Sequence, residues 1–240
     1  MIGPRLVVAL LVLVAVATGV VAAGRLGGWP GIPVAALRAT AQLAAVSLLI
    51  AAIVASLWFT AGFLALMLGA AAWTSGRRIT GRRGVWWAGL PVAAGSLPVV
   101  LGLVAGGLVP TRGIAIVPIA GILIGGAMTA TSLSGRRALD ELAGRHGEVE
   151  AALALGFGDR EAALEICRPA AGQALVPVLD QTRTVGLVTL PGAFVGVLLG
   201  GGSAVEAGAT QLLVLVGLLA VEAVAIVVTV ELAARGRLHH

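Results

Sequence analysis

The stretch QLLVLVGLLAVEAVAIVVTVEL, residues 211–232, decides the fold class of this protein. Glu222 and Glu231 are its only charged residues. A helix of about 20 mainly apolar residues crosses the hydrocarbon core of a bilayer, so the stretch predicts a transmembrane helix. The whole chain has a similar character, with 59% apolar residues, 11% charged residues and a mean hydropathy of +1.05. Such a composition indicates that lipid is the solvent for most of the protein.

Six further apolar runs predict additional membrane spans. They cover residues 6–23, 37–57, 58–73, 86–107, 114–133 and 175–199. We therefore expect an all-α integral membrane protein, a polytopic bundle of about seven transmembrane helices formed by residues 1–238 as one domain. We expect the first run to be an uncleaved span rather than a signal peptide, because it is too long for a typical signal sequence. Pro98, Pro118 and Pro191 lie inside runs and predict kinks.

The arginines predict the orientation in the membrane. All sixteen basic residues are arginine. Alternating the loops across the bilayer collects twelve of them on one side: Arg25, Arg77, Arg78, Arg82, Arg83, Arg136, Arg137, Arg145, Arg160, Arg168, Arg235 and Arg237. The other side receives only Arg5 and Arg112. By the positive-inside rule the first side is cytoplasmic, which puts the N-terminus outside and the C-terminus inside. This arrangement also argues against a nucleic-acid partner.

Three features of the chain carry less information. Cys167 is the only cysteine, so no disulfide can form within the chain. His239 and His240 resemble the remnant of a purification tag and are excluded from any metal site. The chain contains no lysine and therefore no ATP-binding P-loop, whose lysine holds the nucleotide phosphates. No catalytic residue is predicted.

The predicted cytoplasmic segment 134–173 contains the most informative motif. Glu150-Ala151-Ala152 is followed after three residues by Gly156 and, nine residues later, by Ile166 and Pro169. This spacing resembles the EAA motif of ABC-transporter permeases, a helical pair that docks into the ATPase; Arg168 stands where that family has leucine. Glycines at the turn permit a left-handed backbone, and we expect the second helix to end before Pro169. A projecting pair of this kind can transmit a rigid-body push.

Three other stretches resemble the FetB family of permeases. They are Arg38-Ala39-Thr40-Ala41-Gln42-Leu43, then Pro118-Ile119-Ala120-Gly121 with Ala127-Met128, and finally Val176-Pro177 through Asp180 to Thr184-Val185-Gly186-Leu187-Val188-Thr189-Leu190-Pro191-Gly192. The similarity extends from about Leu37 to Leu232. Gly126 and Ile122 stand where the family has asparagine and methionine, which removes two potential metal-ligand side chains.

The resemblance implies a homodimeric permease of the cell (inner, cytoplasmic) membrane that exports iron. It implies a partner, a FetA-like ABC ATPase, which binds ATP and Mg²⁺, and no cofactor on this chain. Plant relatives of the family are linked with aluminium tolerance, so the substrate is not uniform within it. The sequence does not identify the metal-binding residues.

Polar residues within or near the spans are the candidates for a translocation path or gate, because a charge inside the bilayer is costly unless it is paired or lines a wet path. They are Arg38, Gln42, Met128, Asp180, Arg183 and Glu222. Asp180 and Arg183 lie three apart and could pair near the cytoplasmic entrance. A purely structural polar cluster is the alternative interpretation, and Met128 could simply contribute to packing.

Two other classes of function remain compatible with the sequence. The first is a secondary transporter or channel driven by an ion gradient, which should show inverted repeats, broken helices and more acidic relay groups. The second is a membrane scaffold that recruits partners without transport. Such a scaffold would leave Asp180 and Glu222 without a role.

Overall fold

The computed structural model describes residues 3–81 and 85–238, and this part of the chain is built from helices. Arg82 and Arg83, expected on the cytoplasmic side, lie outside the described residues, as do His239 and His240. The α-helices are α1 (Pro4–Ala23), α2 (Gly31–Ala55), α3 (Leu57–Thr80), α4 (Gly89–Ala105), α5 (Gly113–Gly144), α6 (His146–Ala154), α7 (Asp159–Gly172), α8 (Val176–Thr184), α9 (Gly192–Leu199) and α10 (Ala204–Ala234). The chain forms two compact units, Met1–Ala55 and Ser56–His240, which are described separately below.

The first unit consists of α1 and α2. Helix α1 ends where the N–H of Gly24 donates to the carbonyl of Val20 at 2.9 Å. Gly27 and Gly28 follow with φ values of 75° and 69°, a left-handed conformation that glycine adopts without steric cost. None of the residues of α1 is buried, and most of its apolar side chains are exposed, as lipid-facing side chains are.

Six helices in the described residues are long and apolar enough to cross a membrane. They are α1, residues Gly31–Ile50 of α2, α3, α4 with the short 3₁₀ helix before it, α5 and α10. Each agrees with a predicted run, although each helix begins before its run does. Helix α5 continues from the predicted span 114–133 to Gly144, because hydropathy marks only the apolar part of a helix. Pro98 and Pro118 lie inside α4 and α5, as predicted.

Helices α3, α5 and α10 of the second unit run in the same direction. A methyl group on Gly217 of α10 would contact Leu123 of α5 at 3.4 Å, and one on Gly126 would lie 2.9 Å from the carboxylate of Glu222. Residue numbers therefore increase in the same direction along α5 and α10, so these two helices are parallel. On the other side of α5, the hydroxyl of Ser75 in α3 donates to the carbonyl of Met128 at 3.1 Å. Helix α4 runs the opposite way.

The prediction of one helix over residues 175–199 is wrong, because this run is divided into α8 and α9 by residues 185–191. Gly186 has a φ of 82°, and Pro191 is the N-cap residue of α9. Pro191 therefore precedes a helix rather than kinking one. Since α5 and α10 are parallel, the chain must return along them, and it does so through this discontinuous segment. Helix α8 lies beside Gly126 and Glu222, and α9 beside Pro118 and Gln211.

The two ends of the second unit differ sharply in their number of arginines. The end at which α3, α5 and α10 terminate, here called the arginine-rich end, carries Arg77, Arg78, Arg136, Arg137, Arg145, Arg160, Arg168, Arg235 and Arg237. The opposite end, where α5 and α10 begin, carries Arg112. Tryptophans accompany the arginine-rich end: the guanidinium of Arg77 lies 5.9 Å from the ring of Trp73, and that of Arg237 lies 5.0 Å from Trp87. Both are typical of a membrane interface.

Close packing of α4 on α10 depends on Gly95. A methyl group there would lie 2.6 Å from the backbone oxygen of Val221, and a backbone atom cannot move aside as a flexible side chain can. Gly95→Ala should therefore lower the free energy of unfolding by about 1–3 kcal/mol. We expect a lower Tm for the purified variant, measured by intrinsic tryptophan fluorescence in detergent.

Gly102→Ala is the matched control on the same helix, because no atom lies within 4 Å of its added methyl group. It should keep or slightly raise the Tm, since alanine has the higher helix propensity. Equal losses in the two variants would contradict the packing described here.

Candidate functional site

A helical hairpin, formed by α6 and α7, projects at the arginine-rich end and contains the predicted coupling motif. Gly156 has a φ of 94°, and its N–H donates to the carbonyl of Leu153 at 2.9 Å. The N–H of Phe157 donates to the carbonyl of Ala152 at 3.2 Å. These bonds close the last turn of α6 in a conformation that favours glycine. The predicted helix–turn–helix at Gly156 is therefore present.

Arg145 fixes the junction between α5 and α6. Its guanidinium donates to Glu148 of α6 and, at 3.4 Å, to Glu141 of α5. The hydrogen bonds from Arg145 hold the pKa of Glu148 below its usual range. Glu150, the first residue of the motif, is exposed and lies 3.3 Å from Nδ1 of His146. Ala151 is exposed, and Ala152 is half-buried.

Helix α7 packs its apolar face against the bundle. Ile166, Cys167 and Ala171 are buried, with Cys167 and Ala171 fully inaccessible. Burial raises the pKa of the Cys167 thiol, which favours the unreactive protonated form. The prediction that this helix ends before Pro169 is wrong, because α7 continues to Gly172. Pro169 removes one backbone hydrogen bond, but the buried residues Cys167 and Ala171 on either side of it keep the helix packed against the bundle.

A second arginine joins the hairpin to the last helix. Arg160 of α7 donates from Nε and Nη2 to the two carboxylate oxygens of Glu231 in α10, at 2.6 and 2.8 Å. Arg235 donates to the same carboxylate at 2.6 Å. Paired bonds of this kind fix orientation as well as distance. Movement of α7 is therefore linked directly to α10.

The tip of the hairpin presents apolar side chains to solvent. Leu155 is 80% exposed, and Leu153 and Phe157 are 38% and 45% exposed. Beside Phe157 lies a groove of about 360 Å³ whose other walls include Arg160, Glu161, Glu165 and Arg168. An exposed apolar tip beside a charged groove is typical of a surface that another protein covers.

A cavity of about 310 Å³ lies between α5, α8 and α10, and we call it the Glu222 cavity. Its polar lining groups are Thr129 of α5, Gln181 of α8 and Glu222 of α10. Glu222 is only 8% exposed, whereas Thr129 and Gln181 are exposed at the rim. The predicted path residue Glu222 thus faces a cavity.

A larger cavity of about 860 Å³ lies towards the opposite end, and we call it the apolar cavity. It is lined mainly by apolar side chains of α5, α9 and α10, together with Gln211. Gln211 is 5% exposed, and its side-chain oxygen has no hydrogen-bond partner among the described residues. Ile122, Gln181 and Leu218 line both cavities, so these three residues lie at the boundary between them.

The other predicted path residues occupy different places. Asp180 and Arg183 form the predicted local pair, at 3.6 Å, on an exposed face of α8. Met128 packs against the core. Arg38 and Gln42 are exposed, four positions apart on α2 in the first unit. Within residues 3–81 and 85–238, no three side chains of His, Cys, Asp or Glu come together as metal ligands.

Sequence reasoning missed three parts of the site. The bond between Arg160 and Glu231 joins residues 71 positions apart, so no local pattern reveals it. Gln211 is the first residue of the apolar run 211–232 and was not identified as a site residue. Its polarity within such a run was the available signal. Gly126 leaves the space that the carboxylate of Glu222 uses, which only the packing of α5 against α10 reveals.

Comparisons with known proteins find two relatives from plants. Protein ALUMINUM SENSITIVE 3 of Arabidopsis thaliana is 38% identical over 159 residues, which are 66% of this chain and 58% of that protein. UPF0014 membrane protein STAR2 of rice (Oryza sativa subsp. japonica) is 36% identical over 159 residues, 66% of this chain and 55% of that protein. The chain therefore spans little more than half of the length of these two relatives.

A bacterial relative has a name that states a function. Probable iron export permease protein FetB of Escherichia coli (strain K12) is 32% identical over 99 residues, 41% of this chain and 38% of that protein. No solved structure matches the chain. The family described as "Uncharacterised protein family (UPF0014)" matches residues 5–237. The chain is therefore a multi-pass membrane protein that belongs to the UPF0014 family.

Proposed function

We propose that this chain is the permease subunit of an ABC transporter that exports a metal ion. A separate FetA-like ATPase would bind ATP and Mg²⁺ and supply the energy. The observation that carries the proposal is the α6–α7 hairpin: its tip is apolar and exposed, and its second helix is bonded to the bundle. A hairpin of this kind receives a push from a partner and passes it to the spans.

The two helices of the hairpin differ in a way that supports separate roles, one in docking to the partner and the other in transmitting movement to the bundle. Helix α6 has no buried residue, and most of its residues are exposed and available to a partner. Helix α7 buries Ile166 and Cys167 against the bundle and holds Glu231 through Arg160. One helix therefore offers the contact surface, and the other carries the movement to α10.

The metal substrate is proposed from the relatives. The E. coli relative is named for iron export, and the Arabidopsis relative for sensitivity to aluminium. Both names concern metals that exist in water as multiply charged cations. The direction of transport, out of the cytoplasm, comes from the E. coli name alone.

The orientation and assembly are also part of the proposal. With the arginine-rich end in the cytoplasm, the hairpin lies where an ATPase can reach it, and the C-terminus lies on the same side. We assign the chain to the cell membrane, with its N-terminus outside. A homodimer would cover the exposed Asp180–Arg183 pair of α8, which is costly to present to lipid.

One observation favours a second candidate, an ion-gradient-driven secondary transporter. Helices interrupted within the membrane are common in that class, and α8–α9 is interrupted at residues 185–191. Such a transporter needs no ATPase. Binding of an ATPase to the hairpin therefore distinguishes the two candidates.

Leu155→Asp should prevent the chain from assembling with its ATPase. Leu155 is 80% exposed, so the variant should fold normally, whereas a charge at the apolar tip would be buried without a partner on docking. We expect at least a tenfold loss of copurified ATPase when the tagged chain and the neighbouring ATPase are coexpressed.

Ala143→Asp is the matched control, because it adds the same charge at an exposed position of α5, before the hairpin. It should copurify as the wild type does. Normal assembly of Leu155→Asp would contradict the docking surface.

Cysteine labelling should reveal the orientation. We expect Phe157→Cys, at the hairpin tip, to react with a membrane-impermeant maleimide only in inverted vesicles, and Arg112→Cys, at the opposite end, only in intact cells. Native Cys167 is buried and its pKa is raised, so it should remain silent in both preparations. Labelling of Phe157→Cys in intact cells would refute the cytoplasmic hairpin and, with it, the ATPase partner.

A further inference from the structure

Glu222 is a carboxylate within a membrane span, and the described residues provide it with no hydrogen-bond or ion-pair partner. It lies on α10, nine positions before Glu231 and about 14 Å from it along the helix. Its side chain is more than nine-tenths buried, and none of the hydrogen bonds or ion pairs in the described residues involves it. A carboxylate removed from water in this way is costly unless something compensates its charge.

The cavity beside Glu222 exists because Gly126 has no side chain. A methyl group on Gly126 would lie 2.5 Å from Leu218 and 2.9 Å from a carboxylate oxygen of Glu222. Any larger residue would therefore displace the carboxylate or close the cavity. Gly126 thus leaves open the space into which Glu222 projects.

The lining of the cavity is mainly apolar but carries three side chains that suit a hydrated cation. Its polar atoms are the carboxylate of Glu222, the hydroxyl of Thr129 and the amide of Gln181, which are oxygen donors for hard cations. An ion with six waters occupies roughly 200 Å³ at about 30 Å³ per water. The cavity of about 310 Å³ therefore has room for such an ion with its hydration shell.

One charged ligand suits a transient site better than a permanent one. A tightly held metal requires several ligands, and no cluster of three acidic, histidine or cysteine side chains occurs in the described part of the chain. A transported ion must bind well enough to enter and weakly enough to leave. Ile122, Gln181 and Leu218 separate this cavity from the apolar cavity beyond it.

We propose that the Glu222 cavity is a transient binding site for a hydrated multivalent metal cation on its way through the protein, with Glu222 as the charged ligand. The proposal deepens the proposed function and rests on it for the direction of travel. Ile122 and Leu218 then form the apolar boundary that the ion crosses when the helices move. Because Glu222 and Glu231 share α10, the hairpin acts on the helix that carries the charged ligand.

Manganese binding to the full chain in lipid nanodiscs tests the proposal. Free Mn²⁺ gives an electron paramagnetic resonance signal that is lost on binding, and Fe²⁺ added without oxygen should compete. We expect saturable binding to the wild type and a Kd at least tenfold weaker for Glu222→Gln, which preserves the shape of the side chain. Wild-type chain that binds neither Mn²⁺ nor Fe²⁺ would overturn the proposal, as would a Glu222→Gln variant that binds both as tightly as the wild type.

Two matched controls separate the site from general effects. Glu206→Gln also removes one charge from α10 but keeps the capping of its first turn, so its affinity should equal that of the wild type. Gly126→Ala should weaken binding by closing the cavity. Gly69→Ala, whose methyl group meets no atom within 4 Å, should not weaken it. Equal affinities of the two alanine variants would contradict the role of the cavity.

The outcomes distinguish this inference from the proposed function. If the chain binds Mn²⁺ through Glu222 but assembles with no ATPase, the cation site stands and the ABC-transporter assignment fails. If the ATPase assembles on the hairpin while Glu222→Gln binds metal normally, the assignment stands and the cation site fails. Variants are compared only when their Tm values match that of the wild type.

Discussion

In lipid, a helix can depart from its own backbone hydrogen bonding only where protein or a wet cavity satisfies the exposed groups. The second unit of this protein follows that constraint. Its long helices are continuous, and its one interrupted crossing in the described residues, α8–α9, lies against α5 and α10. Both cavities lie beside this crossing, and the buried carboxylate of Glu222 lies there too. The irregular backbone thus lies against protein and cavities, as the constraint requires.

Helix α10 connects the α6–α7 hairpin with the Glu222 cavity. At the arginine-rich end it receives Arg160 from the hairpin through Glu231, and further along it carries Glu222 into the cavity. The connection is one continuous helix, so it needs no chain of intermediate contacts. Glycines such as Gly95 and Gly126 bring α4 and α5 close to it, which makes α10 the centre of the packing. A shift of the hairpin would therefore be transmitted through α10 to α4 and α5.

Much of this arrangement could be predicted from the sequence, because the signals involved are local. Hydropathy revealed the apolar runs, and the spacing from Glu150 to Gly156 revealed the hairpin and its turn. The break at residues 185–191 had a signal in Gly186 and Pro191, but the apolar residues around them masked it. The contact of Arg160 with Glu231 had no signal in the sequence, because it joins segments that are distant along the chain. The end of α7 was mispredicted because tertiary packing kept a proline inside a helix.

The most direct test of this account is the ATPase activity of the complex when the link between Arg160 and Glu231 is removed. Glu231→Gln should keep basal hydrolysis in nanodiscs and lose the stimulation by Fe²⁺. Glu206→Gln, which removes a carboxylate from the same helix without touching that link, should keep both. Stimulation of Glu231→Gln equal to that of the wild type would contradict the account.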